Sequence, residues 1–107
     1  MAFYIKQNDT SPALQVTLKD GNGDAVNLTG CSVRFHMRKI GATSTKVDDA
    51  ATISDPTGGI VYYNWSASDT DTVGSFEAEF EVTFTGGEIE SFPNNKQFIV
   101  EITDDIA

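Results

Sequence analysis

The 107-residue chain carries sixteen acidic and seven basic side chains, and its formal charge of −9 disfavours nucleic acid and anionic membranes as partners. Its 39% hydrophobic content is enough for one packed core, so we expect a single domain over residues 1–107. The lone cysteine excludes an internal disulfide, and no apolar stretch approaches the roughly 18 residues of a spanning helix. Residues 1–10 lack the pattern of a secretory signal, so we expect synthesis in the cytoplasm.

Short alternating segments separated by turn signals fill the first third of the chain. Residues 3–6 form a short apolar run, and residues 13–19 (ALQVTLK) predict a strand with every second side chain inward. Residues 20–24 (DGNGD) are rich in residue types that tolerate positive φ, which indicates a hairpin turn. Residues 31–40 (CSVRFHMRKI) predict the next strand, with an apolar inner face and a basic outer face.

The longest alternating stretch, residues 74–84 (GSFEAEFEVTF), predicts the central strand of the fold. Its outer face is acidic, carrying Glu77, Glu79 and Glu81. The outer face of residues 31–40 is basic, carrying Arg34, His36 and Arg38. Opposite charges on neighbouring strands contribute roughly 0.2–1 kcal/mol per pair, so we predict that these two strands pair. The alternative is that each face is solvated independently.

The remaining segments also read as short strands and turns. The polar residues 45–54 predict an edge strand, residues 55–59 (DPTGG) predict a turn, and residues 66–73 predict a capped helical turn. Trp65 ends the strand-like run IVYYNW, and we expect it to pack between two sheets rather than to form a ligand platform. The predicted core comprises Leu14, Val16, Leu18, Val33, Phe35, Met37, Val61, Tyr63, Trp65, Phe76, Phe80, Val82, Phe98 and Val100.

This succession of strands, without a segment of sustained helical period, predicts an all-β fold. We expect an antiparallel immunoglobulin-like β-sandwich of about seven to eight strands.

No set of residues suited to catalysis or metal binding emerges from the sequence. His36 is expected to join the charged outer face rather than to act as a base, and Cys31 to be a small buried apolar residue. The DGNGD segment imitates the start of a calcium loop, but Ala25 and Cys31 occupy the positions where that loop needs glycine and glutamate. We therefore predict no enzyme activity, no cofactor and no metal.

The candidate contact residues are exposed aromatic and basic side chains. Tyr62 is expected to face outward, and Tyr4 with it, which would suit either stacking on a sugar or a contact with another protein. The candidate interface comprises Phe3, Tyr4, Ile5, Tyr62, Arg34, His36 and Arg38. The possible free sheet edges are residues 3–5 and 45–53.

Three pieces of the chain, in this order, carry a resemblance to a known family. They are IKQNDTSPALQVTLKDGNGDAVNLTGCSVRFHMR, then GGIVYYNWSASDTDTVGSFEAEFEVTFTGGEIESFP, then the closing strand. This pattern resembles the immunoglobulin-like domain that is found at the N-terminus of phage baseplate upper proteins and as free-standing phage tail proteins.

The resemblance implies a non-enzymatic virion structural protein of the tail or baseplate. Its partners would be other virion proteins, with a symmetric homo-oligomer as a further possibility. Since the given sequence ends just after its last strand, we expect a connector or accessory subunit without a receptor-binding part. A capsid decoration protein and a carbohydrate-binding or adhesive module are the alternatives.

Overall fold

The computed structural model describes residues 2–93 and 98–106, which contain nine β-strands and one short 3₁₀ helix. The helix spans Ala67–Thr70 and lies between the sixth and seventh strands. The strands are β1 (Ala2–Lys6), β2 (Leu14–Thr17), β3 (Ser32–Lys39), β4 (Val47–Ala50), β5 (Thr52–Asp55), β6 (Ile60–Tyr63), β7 (Gly74–Thr83), β8 (Ile89–Phe92) and β9 (Phe98–Thr103). No helix in the described ranges is long and apolar enough to cross a membrane.

The strands form a six-stranded and a three-stranded sheet that pack as a sandwich. The large sheet has the order β1-β9-β7-β3-β4, and β8 pairs with the second half of β7; the small sheet has the order β2-β6-β5. β7 is the central strand, and its antiparallel pairing with β3 confirms the pairing predicted from their charges. The predicted all-β sandwich is confirmed, with nine strands rather than seven or eight and with one parallel pair, β1 on β9.

The segment predicted as one edge strand, residues 45–54, is instead two strands in different sheets. β4 pairs with β3 at the edge of the large sheet, whereas β5 pairs with β6 at the edge of the small sheet. Val47, in the large sheet, is buried in the core, and Ile53, in the small sheet, packs on the same core. The chain therefore crosses from one sheet to the other at Ala51. Two apolar side chains in a polar segment show that it contacts a core, but they do not show from which sheet.

The core lies between the sheets and is rich in aromatic rings. Phe35 is fully buried at its centre, stacked on Tyr63 at 4.6 Å between ring centroids, with Phe80 and Trp65 at 5.1 and 5.6 Å. All of the predicted core side chains are buried except Val16, which is partly buried and packs against the others. The alternation of the sequence therefore places the large side chains on the inner faces.

Candidate protein-protein interface

Charged side chains from three neighbouring strands form a ladder across the outer face of the large sheet. The register sets Arg34, His36 and Arg38 of β3 opposite Glu81, Glu79 and Glu77 of β7. Arg38 Nε donates to Glu77 Oε1 at 2.6 Å. The third strand, β4, takes part as well, because Arg34 Nε donates to Asp48 Oδ1 at 2.9 Å.

His36 lies in the middle of this ladder, between two carboxylates. Its Nε2 is 3.1 Å from Asp48 Oδ1 and its Nδ1 is 3.4 Å from Glu79 Oε2. The hydrogen bond from Arg34 holds the pKa of Asp48 below its usual value. A cleft of about 280 Å³ opens beside His36, but the charged groups that line it are largely paired with each other. The ladder therefore joins three strands and presents a face whose charges are mostly compensated.

A buried polar pair fixes the chain at one end of the sandwich. The Tyr63 hydroxyl donates to Asp69 Oδ2 at 2.6 Å, and the Ser66 amide donates to the same oxygen at 2.9 Å. Burial, reinforced by the hydrogen bond to Asp69, raises the pKa of Tyr63 well above its usual range. The predicted helical turn is present as the 3₁₀ helix, and its Asp69 carboxylate ties the turn to β6.

Loops from three parts of the chain meet at this same end. Lys46 Nζ donates to the carbonyl oxygen of Ser68 at 3.1 Å and to the Asp71 carboxylate. This contact with Lys46 lowers the pKa of Asp71. Thr70 Oγ1 donates to the carbonyl oxygen of Asp9 at 2.8 Å, which connects the loop after β1. Side-chain hydrogen bonds therefore join these loops at one end of the sandwich.

The DGNGD segment uses its carboxylate within the turn. Asp20 Oδ1 accepts hydrogen bonds from the amides of Asn22 and Asp24, at 2.9 and 3.0 Å. The Asp20 amide donates to the Asp24 carbonyl oxygen, and one isolated bridge joins Lys19 to Ala25. No group of three or more His, Cys, Asp or Glu residues within 2–93 and 98–106 is arranged to hold a metal ion.

The structure separates the candidate interface residues into three places. Tyr4 is 68% exposed on the outer face of β1, three strands away from β3, which carries the basic side chains. Tyr62 is partly buried on the outer face of the small sheet, on the opposite side of the sandwich. These residues therefore do not form one continuous surface.

Two of the candidate contact residues on β1 point inward instead. Ile5 is 4% exposed and belongs to the core, so only its backbone lies near the surface. Phe3 is partly buried, and its ring stacks on Trp65 at 6.0 Å. Residues 3–5 are all apolar or aromatic, so the sequence did not show which of them face the core and which face outward.

The sequence did not indicate several exposed apolar side chains, among them Ile89, and it named residues 3–5 and 45–53 as possible free edges without showing how far each is bonded. Ile89 of β8 is 63% exposed, opposite Thr83 on the outer face of the large sheet. Whether a sheet edge is free depends on its backbone N–H and C=O groups, which the residue type does not reveal. β1 and β4 are the outer strands of the large sheet, and their backbone groups differ in how far they are already bonded.

Comparison with known proteins gives a family and a structural neighbour. The family model described as "BppU N-terminal domain" matches residues 2–106. Among solved structures, the chain is similar to the N-terminal domain of phage TP901-1 ORF48, with a TM-score of 0.67 and 18% sequence identity over 96% of this chain and 85% of that one. At that identity the likeness shows a shared fold. No curated protein matches the chain.

The family match extends over nearly the whole chain, and the sandwich agrees with the fold of the structural neighbour. The chain therefore belongs to the BppU N-terminal domain family, a family of phage baseplate domains.

Proposed function

We propose that the chain is a non-enzymatic structural subunit of a phage tail or baseplate that acts through contacts with other virion proteins. The observation that carries this proposal is the family match over residues 2–106. The name of the structural neighbour, a phage protein domain, agrees with it. The subunit is made in the host cytoplasm, and its charge of −9 keeps it soluble before assembly.

The hydrogen bonding of the described polar side chains supports a contact function over a catalytic one. His36 is held between two carboxylates, and Asp69 is bonded to Tyr63 and to a backbone amide. Both groups therefore act as structural partners. A pre-formed end of the sandwich and an exposed Tyr4 are the kinds of feature that rigid protein contacts use.

The test is the number of copies of this protein in gradient-purified particles of the phage that encodes it. Quantitative mass spectrometry with isotope-labelled peptides would compare it with the major capsid protein and with a known tail protein. We expect a small number compatible with the symmetry of the tail. A number similar to that of the capsid protein would indicate decoration instead, and absence from particles would contradict the proposal and make sugar binding the next assay.

A further inference from the structure

The two edges of the large sheet differ in the state of their backbone groups. A free edge offers unpaired N–H and C=O groups to any strand that comes near, and proteins commonly block such edges. β4 and β1 end the strand order β1-β9-β7-β3-β4, and the short β8 pairs only with β7 beside this path. Side chains of the described residues block the first edge at two of its outward groups and block none at the second.

Side chains occupy two of the outward backbone groups of β4. The amide of Ala51 donates to the carbonyl oxygen of Val33 at 2.9 Å, so the alternation of an antiparallel ladder turns the Ala50 amide and the Asp48 carbonyl outward. The Asp49 carboxylate accepts the hydrogen bond of the Ala50 amide at 2.8 Å. Arg34 Nη2 donates to the Asp48 carbonyl oxygen at 2.9 Å. An incoming strand therefore finds these groups already bonded.

The outward groups of β1 follow from its parallel register with β9. The amide of Gln7 donates to the carbonyl oxygen of Thr103 at 2.8 Å, just beyond the end of the strand. Alternate residues of a parallel strand direct their groups to the same neighbour, so Ile5 faces β9 as Gln7 does. Tyr4, between them, directs both its N–H and its C=O away from the sheet.

The backbone groups of β1 that face away from β9 are unbonded along most of the strand. The carbonyl oxygen of Lys6 accepts the amide of Asp9 at 3.0 Å, which closes the row at one end. The register with β9 turns the C=O of Ala2, the N–H and C=O of Tyr4 and the N–H of Lys6 outward. Among residues 2–93 and 98–106, no turn, loop or side-chain hydrogen bond reaches these groups. β1 contains no proline and no bulge, the other features that commonly protect an edge.

The surroundings of β1 leave room for another chain. A cleft of about 290 Å³ lies beside the strand, lined by residues of β1 and of the loop that follows it, including Asp9 and Pro12. The Tyr4 ring is exposed on the outer face, and the nearby Lys6 side chain is exposed and takes part in none of the ion pairs of the described residues. An acidic side chain opposite Lys6 would find an unpaired cation there.

We propose that β1 accepts an extended segment of another virion protein as an additional strand of the large sheet. The segment pairs its backbone with Tyr4 and the flanking groups of β1, and it carries an acidic residue opposite Lys6. Backbone pairing supplies the affinity in such contacts, and the side chains beside the strand supply the specificity. This inference rests on the proposed structural function and names the surface that performs it.

The charge of the chain favours a different protein over a second copy as the occupant. Two copies of a chain with a charge of −9 repel each other, and a five-residue edge offers few contacts to offset that repulsion. We therefore expect the free chain to be monomeric at micromolar concentration in light scattering after size exclusion. A dimer that Tyr4→Pro disrupts would assign the edge to a second copy and overturn this choice of partner.

A proline in place of Tyr4 tests whether the backbone N–H of this residue is needed for assembly. Tyr4→Pro removes an outward N–H that takes part in no bond within the described chain, and edge strands tolerate such a proline. Tyr4→Thr removes the ring but keeps the N–H, and Ala50→Pro is the matched change at the blocked edge. We expect Tyr4→Pro to lower the number of copies per particle at least about tenfold relative to Tyr4→Thr, and Ala50→Pro to stay within about twofold of the unmodified chain.

The emission of Trp65 reports whether Tyr4→Pro leaves β1 in place, since Phe3 on β1 stacks on that ring. A folded Tyr4→Pro protein that assembles as well as Tyr4→Thr would overturn the edge proposal while leaving the structural function intact. Absence of the unmodified chain from particles would instead refute the structural function itself.

Hydrogen exchange of the unmodified chain gives a second test that needs no variant. We expect the amides of Tyr4 and Lys6 to exchange at least about tenfold more slowly in particles than in the free protein, because the added strand would bond them. Unchanged exchange at both amides would contradict the proposal.

Discussion

The buried contact between Tyr63 and Asp69 offers a test of how the end of the sandwich is stabilised. Tyr63 is 4% and Asp69 9% exposed, and the carboxylate accepts both the Tyr63 hydroxyl and the Ser66 amide. A hydrogen bond to a charged group contributes about 1.5–3 kcal/mol, so Tyr63→Phe should lower the free energy of unfolding by about 1.5 kcal/mol, since Asp69 keeps its second donor. Asp69→Ala should cost more, about 2–4 kcal/mol, because it leaves the buried hydroxyl and the Ser66 amide without this acceptor.

Urea unfolding followed by Trp65 fluorescence would measure both variants and the double variant. We expect a coupling energy of about 1 kcal/mol or more, because each substitution removes the same hydrogen bond. Ser68→Ala is the matched control: its side chain contacts only Ser66 Oγ, at 3.2 Å and in solvent, so we expect a change within about 0.5 kcal/mol. Additive costs for Tyr63→Phe and Asp69→Ala would refute the reasoning.

Three further predictions follow from the structure. Burial raises the pKa of Tyr63, so the neutral hydroxyl stabilises the fold fully below the ordinary tyrosine pKa of about 10, and this stabilisation declines at higher pH. In urea unfolding at increasing alkaline pH, the Tyr63→Phe variant should therefore lose less stability than the unmodified chain. Gly59→Ala should lower stability by at least about 2 kcal/mol, because φ is +68° and a Cβ would lie 2.8 Å from a backbone oxygen, whereas Gly21→Ala, with open space around it, should be nearly neutral in the same unfolding assay. Phe35→Ala should lower the free energy of unfolding by about 3–5 kcal/mol, because this ring is fully buried. Arg38→Met should lower it by less than about 1 kcal/mol, because the ion pair with Glu77 is partly exposed. Similar unfolding midpoints for the two variants would contradict the assignment of stability to the core.

Much of the fold could be predicted because alternation is a local signal. The period of two in residues 74–84 predicts a strand and the face that it buries, and the structure has β7 there with every inward residue from Phe76 to Val82 buried. The charges of β3 and β7 also predicted that these two strands are neighbours, because the basic outer face of β3 complements the acidic outer face of β7.

The candidate interface was less predictable, because it depends on which groups remain unbonded after folding. Arg34, His36 and Arg38 are expected contact residues from the sequence, yet in the folded chain each already contacts an acidic side chain, and Arg34 and His36 share Asp48. Tyr4 was a candidate both for its aromatic side chain and as a member of a possible free edge at residues 3–5, but only the register with β9 shows that its own N–H and C=O face outward.

The sequence by itself determined the class of fold, most residues of the core and the pairing of β3 with β7, since these follow from side-chain chemistry along single strands. The tertiary structure alone decided that residues 45–54 divide between two sheets and that β1 runs parallel to β9. It also decided that side chains bond two outward backbone groups of β4 and none of β1. Backbone N–H and C=O groups are the same in every residue type except proline, so only the arrangement of the whole chain establishes which of them find partners.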